Sequence, residues 1–250
     1  MMANDNANDN ANDNELQISN AACKIQHASQ KIAKSYIYKE MDIRYEIAFQ
    51  QMQEGLVEFD KNIPILQQGI KGKKEEKTMK RIVSSYQQLK AILPQPYSKK
   101  NGKIAIDASE ALFEDAEILA QAYLPKNRTV VERTLGDIQR QLRLLERINK
   151  YYIAHHAGLD DKNDFIHLKD SIAKFEAGLS TIAEHENHPE ESQQNVRRIH
   201  KLWPIAKEFY LGIQTRAQPV TVLATTDKLA EKLVALEKHH QEEDFEHESH

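Results

Sequence analysis

The sequence contains one basic, tyrosine-ended stretch twice, and this duplication limits the folds open to the chain. Residues 24–36 and 140–152 both end in the pattern basic-Ile-x-Lys-x-Tyr, where x is any residue. The lysines of the two copies, Lys34 and Lys150, are separated by 116 residues. In both copies the seam positions recur at steps of three and four, from Ile18 in the first and from Leu135 in the second. This spacing places one stripe on one face of a helix. Each copy is therefore predicted to be the leading helix of a bundle.

Weaker likenesses extend the duplication to the partner helices. Residues 52–56 are answered by residues 175–179 at a spacing of 123, and the additional seven residues are two helical turns, which preserve the apolar face. The other matches are Arg81-Ile82-x-x-x-Tyr86 with Arg198-Ile199-x-x-x-Trp203, and Leu119-Ala120 with Leu229-Ala230. The sequence therefore predicts two tandem units of four helices each. Chance similarity between two amphipathic bundles is the alternative.

The composition also favours helices. The chain has 250 residues, of which 40% are hydrophobic and 29% charged, with only 8 Gly and 7 Pro. Its mean hydropathy of -0.68 indicates elongated elements with much wet surface. We therefore expect an all-α fold of two tandem up-and-down four-helix bundle units, elongated in shape. A net charge of -4 without a basic, aromatic face argues against nucleic acid as a partner, and a single cysteine, Cys23, excludes an internal disulfide.

Four segments are predicted from these patterns. Residues 1–15 contain three copies of Ala-Asn-Asp-Asn and are expected to be a disordered tail, because they carry no large apolar group to bury. Residues 16–125 form the first bundle and residues 126–240 the second. Residues 241–250 form an acidic tail that is expected to fray.

Proline and capping residues predict several helix ends. The second helix is expected to end before Pro64, and Asp107 or Ser109 is expected to open the fourth after a loop around residues 98–102. In the second half, a helix is expected from about Thr129 to His156, and another is expected to start near Pro189.

The leading helix resembles that of a known sensor family. The first copy reads Ser29-Gln30-Lys31-Ile32-Ala33-Lys34, and the second offers Arg140-Gln141, Arg147-Ile148 and Lys150. These residues are similar to the pattern Arg-Gln-Arg-Met-x-Ser-Gln-Arg-Ile-Ala-Lys of the sensor module found in type IV pilus methyl-accepting chemotaxis transducers. This PilJ type is related to the nitrate sensor module of the NarX kind. The likeness covers most of residues 16 to 240.

The resemblance implies an all-helical, extracytoplasmic input domain, often dimeric, that reports ligand occupancy through small helix shifts. It implies a periplasmic location if a leader is missing from this chain, and a cytoplasmic one otherwise. The arginine that holds the anion in nitrate-sensing relatives corresponds to Gln26 in the first copy and Leu142 in the second, with Arg143 one residue further on. No membrane segment and no cofactor are expected in this chain.

Polar residues of the two leading helices are the candidate ligand-binding positions. They are Gln26, Ser29 and Gln30 in the first copy, and Arg140, Arg143 and Asn149 in the second. Asn149 lies in the apolar seam of its helix, where an amide binds a polar ligand or sets helix register. The expected partners are a small anion or metabolite, and a protein partner or a homodimer.

No catalytic or metal-binding motif accompanies these positions. A di-iron bundle needs two Glu-x-x-His motifs, and only Glu237 and His240 fit that spacing near the end of the chain. The sequence therefore predicts no metal and a non-enzymatic sensor or ligand-binding module. The alternative is a helical scaffold that docks another helix and has no small-molecule ligand.

Overall fold

The computed structural model of the chain describes residues 2–159, 162–184 and 190–248. These residues form eight α-helices and a short 3-10 helix, Gly212–Gln214, with no β-strand among them. The helices are α1 (Met2–Glu40), α2 (Tyr45–Gly69), α3 (Lys73–Ile92), α4 (Lys99–Ala122), α5 (Val130–His156), α6 (Lys162–Ala183), α7 (Glu190–Leu211) and α8 (Pro219–Glu248). The predicted all-α fold is confirmed.

The helices belong to two compact units, Met1–Asn127 (unit 1) and Arg128–His250 (unit 2). In unit 1, α1 packs against α2 and α4, and α3 packs against α4. Gly69 lies against Ile18 and Gly55 against Ile32, so α1 and α2 run antiparallel. Short connections between consecutive helices impose the same alternation on the rest, which gives an up-and-down bundle.

Unit 2 repeats this arrangement with α5 as the leading helix. Helix α5 packs against α6 and α8, and α7 packs against α8. The hydroxyl groups of Tyr210 on α7 and Thr226 on α8 lie 2.6 Å apart inside the unit. Thr129 forms a capping box with Glu132, which explains why α5 starts where the sequence predicted.

Both chain ends are more helical than the sequence predicted. The tract expected to be a disordered tail lies within α1, which begins at Met2, and the tail expected to fray lies within α8, which ends at Glu248. An established helix gains one hydrogen bond for each added residue without a new nucleation cost.

Two predicted helix ends inside unit 1 were also wrong. Helix α2 continues through Pro64 to Gly69, because Phe59 and Leu66 are buried on either side of the proline and hold the helix in place. Helix α4 begins at Lys99, where the Ser98 hydroxyl accepts a hydrogen bond from the Asn101 amide at 3.1 Å. This cap outweighs the low helix propensity of the glycine that follows. Pro189 lies outside the described residues.

An aromatic and acidic cluster reveals the true correspondence between α2 and α6. In unit 1 the rings of Phe59 and Tyr86 stack with centroids 3.7 Å apart, and the Tyr86 hydroxyl donates to Asp60 Oδ1 at 2.7 Å. In unit 2 the rings of Phe175 and Trp203 lie 4.4 Å apart, and Trp203 Nε1 donates to the carboxylate of the next residue on α6. Phe59 and Phe175 are 116 residues apart, the same spacing as the leading helices.

The spacing of 123 inferred for these two helices was therefore wrong. Gly55 lies against Ile32 and Ala28 of α1, whereas Gly178 lies against Gln141 of α5, which corresponds to Ile25. A shift of seven residues is two turns and keeps the same helix face, so the sequence pattern does not distinguish the two alignments.

Candidate functional site

Three polar side chains of α1 reach the main chain of α4 at regular intervals. Ser19 Oγ donates to the Ala120 carbonyl at 2.8 Å, and the side-chain amides donate to α4 carbonyls further along, Gln26 Nε2 to Phe113 O at 2.9 Å and Gln30 Nε2 to Ser109 O at 2.8 Å. The donor residues are seven and four positions apart along α1, and the acceptor residues are separated by the same intervals along α4 in the opposite direction. We call these three side chains and their acceptor carbonyls the polar ladder.

The glutamine acceptor atoms of the polar ladder are buried without a partner. Gln26 Oε1 and Gln30 Oε1 are inaccessible to solvent and accept no hydrogen bond from the described residues. A buried acceptor left without a donor destabilises the folded state. Gln26 Nε2 also donates to Glu117 Oε2 at 2.8 Å, so the donors are satisfied while the acceptors are not. The pair of amide oxygens suits a ligand that donates hydrogen bonds.

Small residues on α4 allow the polar ladder to form. The face of α4 toward the bundle carries five buried small side chains: Ala105, Ala108, Ser109, Ala116 and Ala120. Without bulk in between, a glutamine amide reaches a main-chain carbonyl of the neighbouring helix. The recurring Ala and Ser in residues 105–120 is the sequence signal that predicts this close approach.

Ser29, the third candidate of the first copy, is bonded inside the polar ladder. Its hydroxyl donates to the Gln26 carbonyl at 2.8 Å and lies 3.2 Å from Gln30 Nε2. The structure thus brings Gln26, Ser29 and Gln30 together in a closed helix–helix contact rather than in an open pocket. Ligand access at this place requires the two helices to move.

Unit 2 does not reproduce the polar ladder. The positions of Gln26 and Ser29 are occupied there by Leu142 and Leu145, which are buried apolar residues. Arg140 is exposed and Asn149 fully buried, so these two candidates do not form one cluster. Arg143 is only 8% exposed, and six residues separate it from Asn149, which places the two on different helix faces.

Arg147 is a polar residue of unit 2 that the candidate set missed. Its Nη1 donates to Ser171 Oγ at 2.9 Å and lies 3.7 Å from Asp170 Oδ2, and its guanidinium group lies 5.4 Å from the centre of the Tyr151 ring. The His167 ring stacks on the Tyr151 ring, with the two centroids 5.2 Å apart. The basic residues at 140, 143, 147 and 150 are spaced by three and four, so the sequence indicates a basic stripe along one side of α5.

The corresponding stripe of α1 is neutralised by α2. His27 Nδ1 lies 2.9 Å from Glu58 Oε2, and Lys31 Nζ lies 2.7 Å from Glu54 Oε2. Burial alone would raise the pKa of Glu58. The hydrogen bond from His27 and the positive charge of Lys31 outweigh that effect and hold this pKa below its ordinary value. The α1–α2 edge is therefore a paired, charge-balanced contact.

Substitution of Glu58 by Gln is expected to weaken the acid sensitivity of unit 1. A carboxyl group with a lowered pKa in the folded state stabilises the protein above its unfolded pKa, and that stability is lost as pH falls through the folded value. The variant should be less stable than the parent at pH 6, and the difference should shrink as pH drops below about 4. Urea unfolding followed by circular dichroism at a series of pH values measures this.

The matched control is Glu46 to Gln, an exposed acid on the same helix. It should follow the pH dependence of the parent protein. A difference between the Glu58 variant and the parent that stays constant down to pH 2 would contradict the assigned role of the His27 pair.

The leading helices also share a buried lysine and a closing tyrosine. Lys34 and Lys150 are both fully buried, and so are Tyr36 and Tyr152. Tyr152 OH accepts a hydrogen bond from the Gln218 amide at 2.7 Å. Tyr36 packs near Tyr97 instead, and burial, together with the negative charge of Glu40, raises the pKa of Tyr36 to about 12. The two copies thus keep the same core residues while their polar partners differ.

Across the described ranges, no group of three or more His, Cys, Asp or Glu side chains is arranged to hold a metal ion. No helix in the described part of the chain is long and apolar enough to cross a membrane. Comparison of the chain with protein-family models, with curated proteins and with solved structures finds no match.

Proposed function

We propose that this protein is a non-enzymatic sensor or ligand-binding module of the PilJ/NarX type, which acts through a shift in helix packing. The observation that supports this proposal is the polar ladder, a buried row of side-chain-to-carbonyl bonds between α1 and α4. A periplasmic location belongs to the same proposal.

The polar ladder suits two discrete helix registers. Gln26 and Gln30 are four residues apart, and so are their acceptors on Ser109 and Phe113. Carbonyl groups recur at this interval along any α-helix, so a slide of α4 by one turn offers Gln30 the Phe113 carbonyl. The same type of bond then holds either register, and a ligand that prefers one of them shifts the population.

The ligand contacts follow from the groups on the leading helices. Gln26 Oε1 and Gln30 Oε1 provide two acceptors, and Ser29 provides a hydroxyl group between them. The candidate residues of unit 2, Arg140 and Arg143, are positively charged and suit an anion. These residues support a polar metabolite or a small anion as the ligand class.

A spin-label experiment tests the proposed shift. A thermal-shift panel of small anions and metabolites first identifies a ligand. Labels at Gln17 on α1 and Asp107 on α4, both exposed and introduced as cysteines with Cys23 replaced by Ser, then report the distance between the helices. Ligand should change this distance by up to about 5 Å, one helical turn.

Labels at Gln53 on α2 and Lys80 on α3 are the control, because the ring of Phe59 on α2 stacks on that of Tyr86 on α3 and the polar ladder does not involve these helices. Their distance should stay constant. A ligand that raises the melting temperature without moving the α1–α4 distance would contradict the helix shift, and a flat panel would contradict ligand sensing.

A scaffold that docks another helix is the second candidate function. Tyr45 and Phe49 on α2 are 44% and 41% exposed, and their rings stack in parallel with centroids 6.3 Å apart. Exposed aromatic side chains are common anchors in protein interfaces. A pull-down with and without added small molecules separates the two functions, since a scaffold retains its partner in both conditions.

A further inference from the structure

We propose that unit 2 carries a binding site for a doubly charged phosphate group at the edge where α5 lies against α6. The inference rests on the proposed ligand-binding function and deepens it by naming the ligand class and the place. It follows from a comparison of this edge with the equivalent edge of unit 1.

The two leading helices carry the same basic stripe. Lys24, His27 and Lys31 of α1 correspond to Arg140, Arg143 and Arg147 of α5. In unit 1 the neighbouring helix supplies two carboxylates, Glu54 and Glu58, which pair with Lys31 and His27. The positive charges of Lys24 and Lys31 equal the negative charges of the two glutamates, so this edge is neutral without an external anion.

The α6 helix of unit 2 lacks one of these two carboxylates. Phe59 and Phe175 are structural equivalents 116 residues apart, so the position of Glu58 is occupied by Lys174. Lys174 Nζ lies 2.8 Å from Asp170 Oδ2, the same atom that lies 3.7 Å from Arg147 Nη1. One carboxylate is therefore shared by two cations, and a lysine stands where unit 1 has an acid.

Arg143 is left without a counterion at this edge. It is 8% exposed and makes no hydrogen bond or ion pair with the described residues. Its equivalent in unit 1, His27, pairs with Glu58 across the same edge. An anion that reaches this guanidinium group gains a charged hydrogen-bond partner.

The charge at the edge selects the kind of anion. Arg147 and Lys174 share the Asp170 carboxylate, and Arg143 occupies the α5 position whose unit 1 equivalent pairs with an acid, so positive charge exceeds negative charge among these side chains. This excess favours a dianion over a monoanion. Guanidinium groups present parallel N–H donors that match two oxygens of a phosphate. The proposed site lies next to Leu142, the position that corresponds to the anion-binding arginine of nitrate-sensing relatives, and does not involve that residue.

Isothermal titration calorimetry of the full chain tests the site. The probes are inorganic phosphate and phosphoserine at constant ionic strength, with chloride as the monoanion, because salt screens charge interactions. We expect both phosphate probes to bind more tightly than chloride. Equal affinities for the two would indicate free phosphate as the ligand, and tighter phosphoserine binding would indicate a phosphate carried on a larger molecule.

Two substitutions locate the binding on this edge. Arg143 to Gln removes the unpaired cation, and Lys174 to Glu restores the acid that unit 1 has at this position. Each should weaken phosphate binding by about tenfold or more. The Lys174 side chain is 51% exposed, so its replacement leaves the core intact, and circular dichroism verifies the fold of both variants.

The matched control is Lys228 to Glu on α8, an exposed lysine whose replacement changes the net charge by the same amount. It should bind phosphate like the parent protein. Three outcomes overturn the proposal: no phosphate binding, binding that both edge variants retain, or an equal loss in the Lys228 variant. If phosphate fails and another compound of the thermal-shift panel binds, the phosphate site is wrong while the ligand-binding function stands.

Discussion

Replacement of Phe59 by Ala is expected to destabilise unit 1 by about 4 kcal/mol. The Phe59 ring is fully buried and stacks on Tyr86 with ring centroids 3.7 Å apart, so its loss leaves a cavity between α2 and α3. The Tyr86 hydroxyl would keep its bond to Asp60, but the ring face would lose its partner. Hydrogen exchange of α2 and α3 peptides, together with urea unfolding, measures this loss.

Phe49 to Ala is the matched control, since Phe49 is 41% exposed on the same helix. This variant should lose less than about 1 kcal/mol, because solvent already covers much of its ring. Equal losses at the two positions would show that Phe59 does not anchor the contact between α2 and α3.

Gly55 to Val is expected to destabilise unit 1 by about 3 kcal/mol through overpacking. A Cβ atom at this position would lie 2.8 Å from Ile32 Cγ1 and 3.3 Å from the Ala28 carbonyl oxygen. Ile32 is fully buried and β-branched, so it has little freedom to move aside. The helices α1 and α2 would have to separate, and urea unfolding followed by circular dichroism reports the change.

Gly178 to Val separates this steric effect from the effect of valine on a helix. The atoms nearest to a Cβ atom there belong to the amide end of the Gln141 side chain, which can shift more easily than the branched Ile32 side chain or the main chain that surround Gly55. We expect a loss clearly smaller than at Gly55. A loss of equal size at Gly178 would argue that the two glycines are equivalent contact points, and would restore the spacing of 123 rejected above.

The register of α6 shows where sequence reasoning reached its limit. Residues 52–56 and 175–179 look alike, yet the contacts pair Phe59 with Tyr86 and Phe175 with Trp203. Two alignments that differ by seven residues bury the same helix face, so only contacts with a neighbouring helix separate them. The phosphate inference depends on this corrected register, because it assigns Lys174 to the place of Glu58.

The candidate site was predicted only in part for a related reason. The polar residues of both leading helices were visible in the sequence, but not which of them share a contact. Gln26, Ser29 and Gln30 meet because small residues bring α4 close, and Arg143 is left without an acid because of a residue 31 positions away on α6. The partners of a side chain on other helices depend on the distance and register between the helices. The spacing of residues within a single helix shows only which face is buried.

The sequence alone determined the helical class and the order of the leading helices, since hydrophobic spacing of three and four residues is a local property of the chain. It also determined the start of α5, because the Thr129 cap and its glutamate are three residues apart. The tertiary structure decided which side chains pair across helices, where α2 and α4 begin and end, and which basic residue has no counterion. These outcomes depend on contacts between distant residues, and their free energies outweigh the local preferences of proline and glycine.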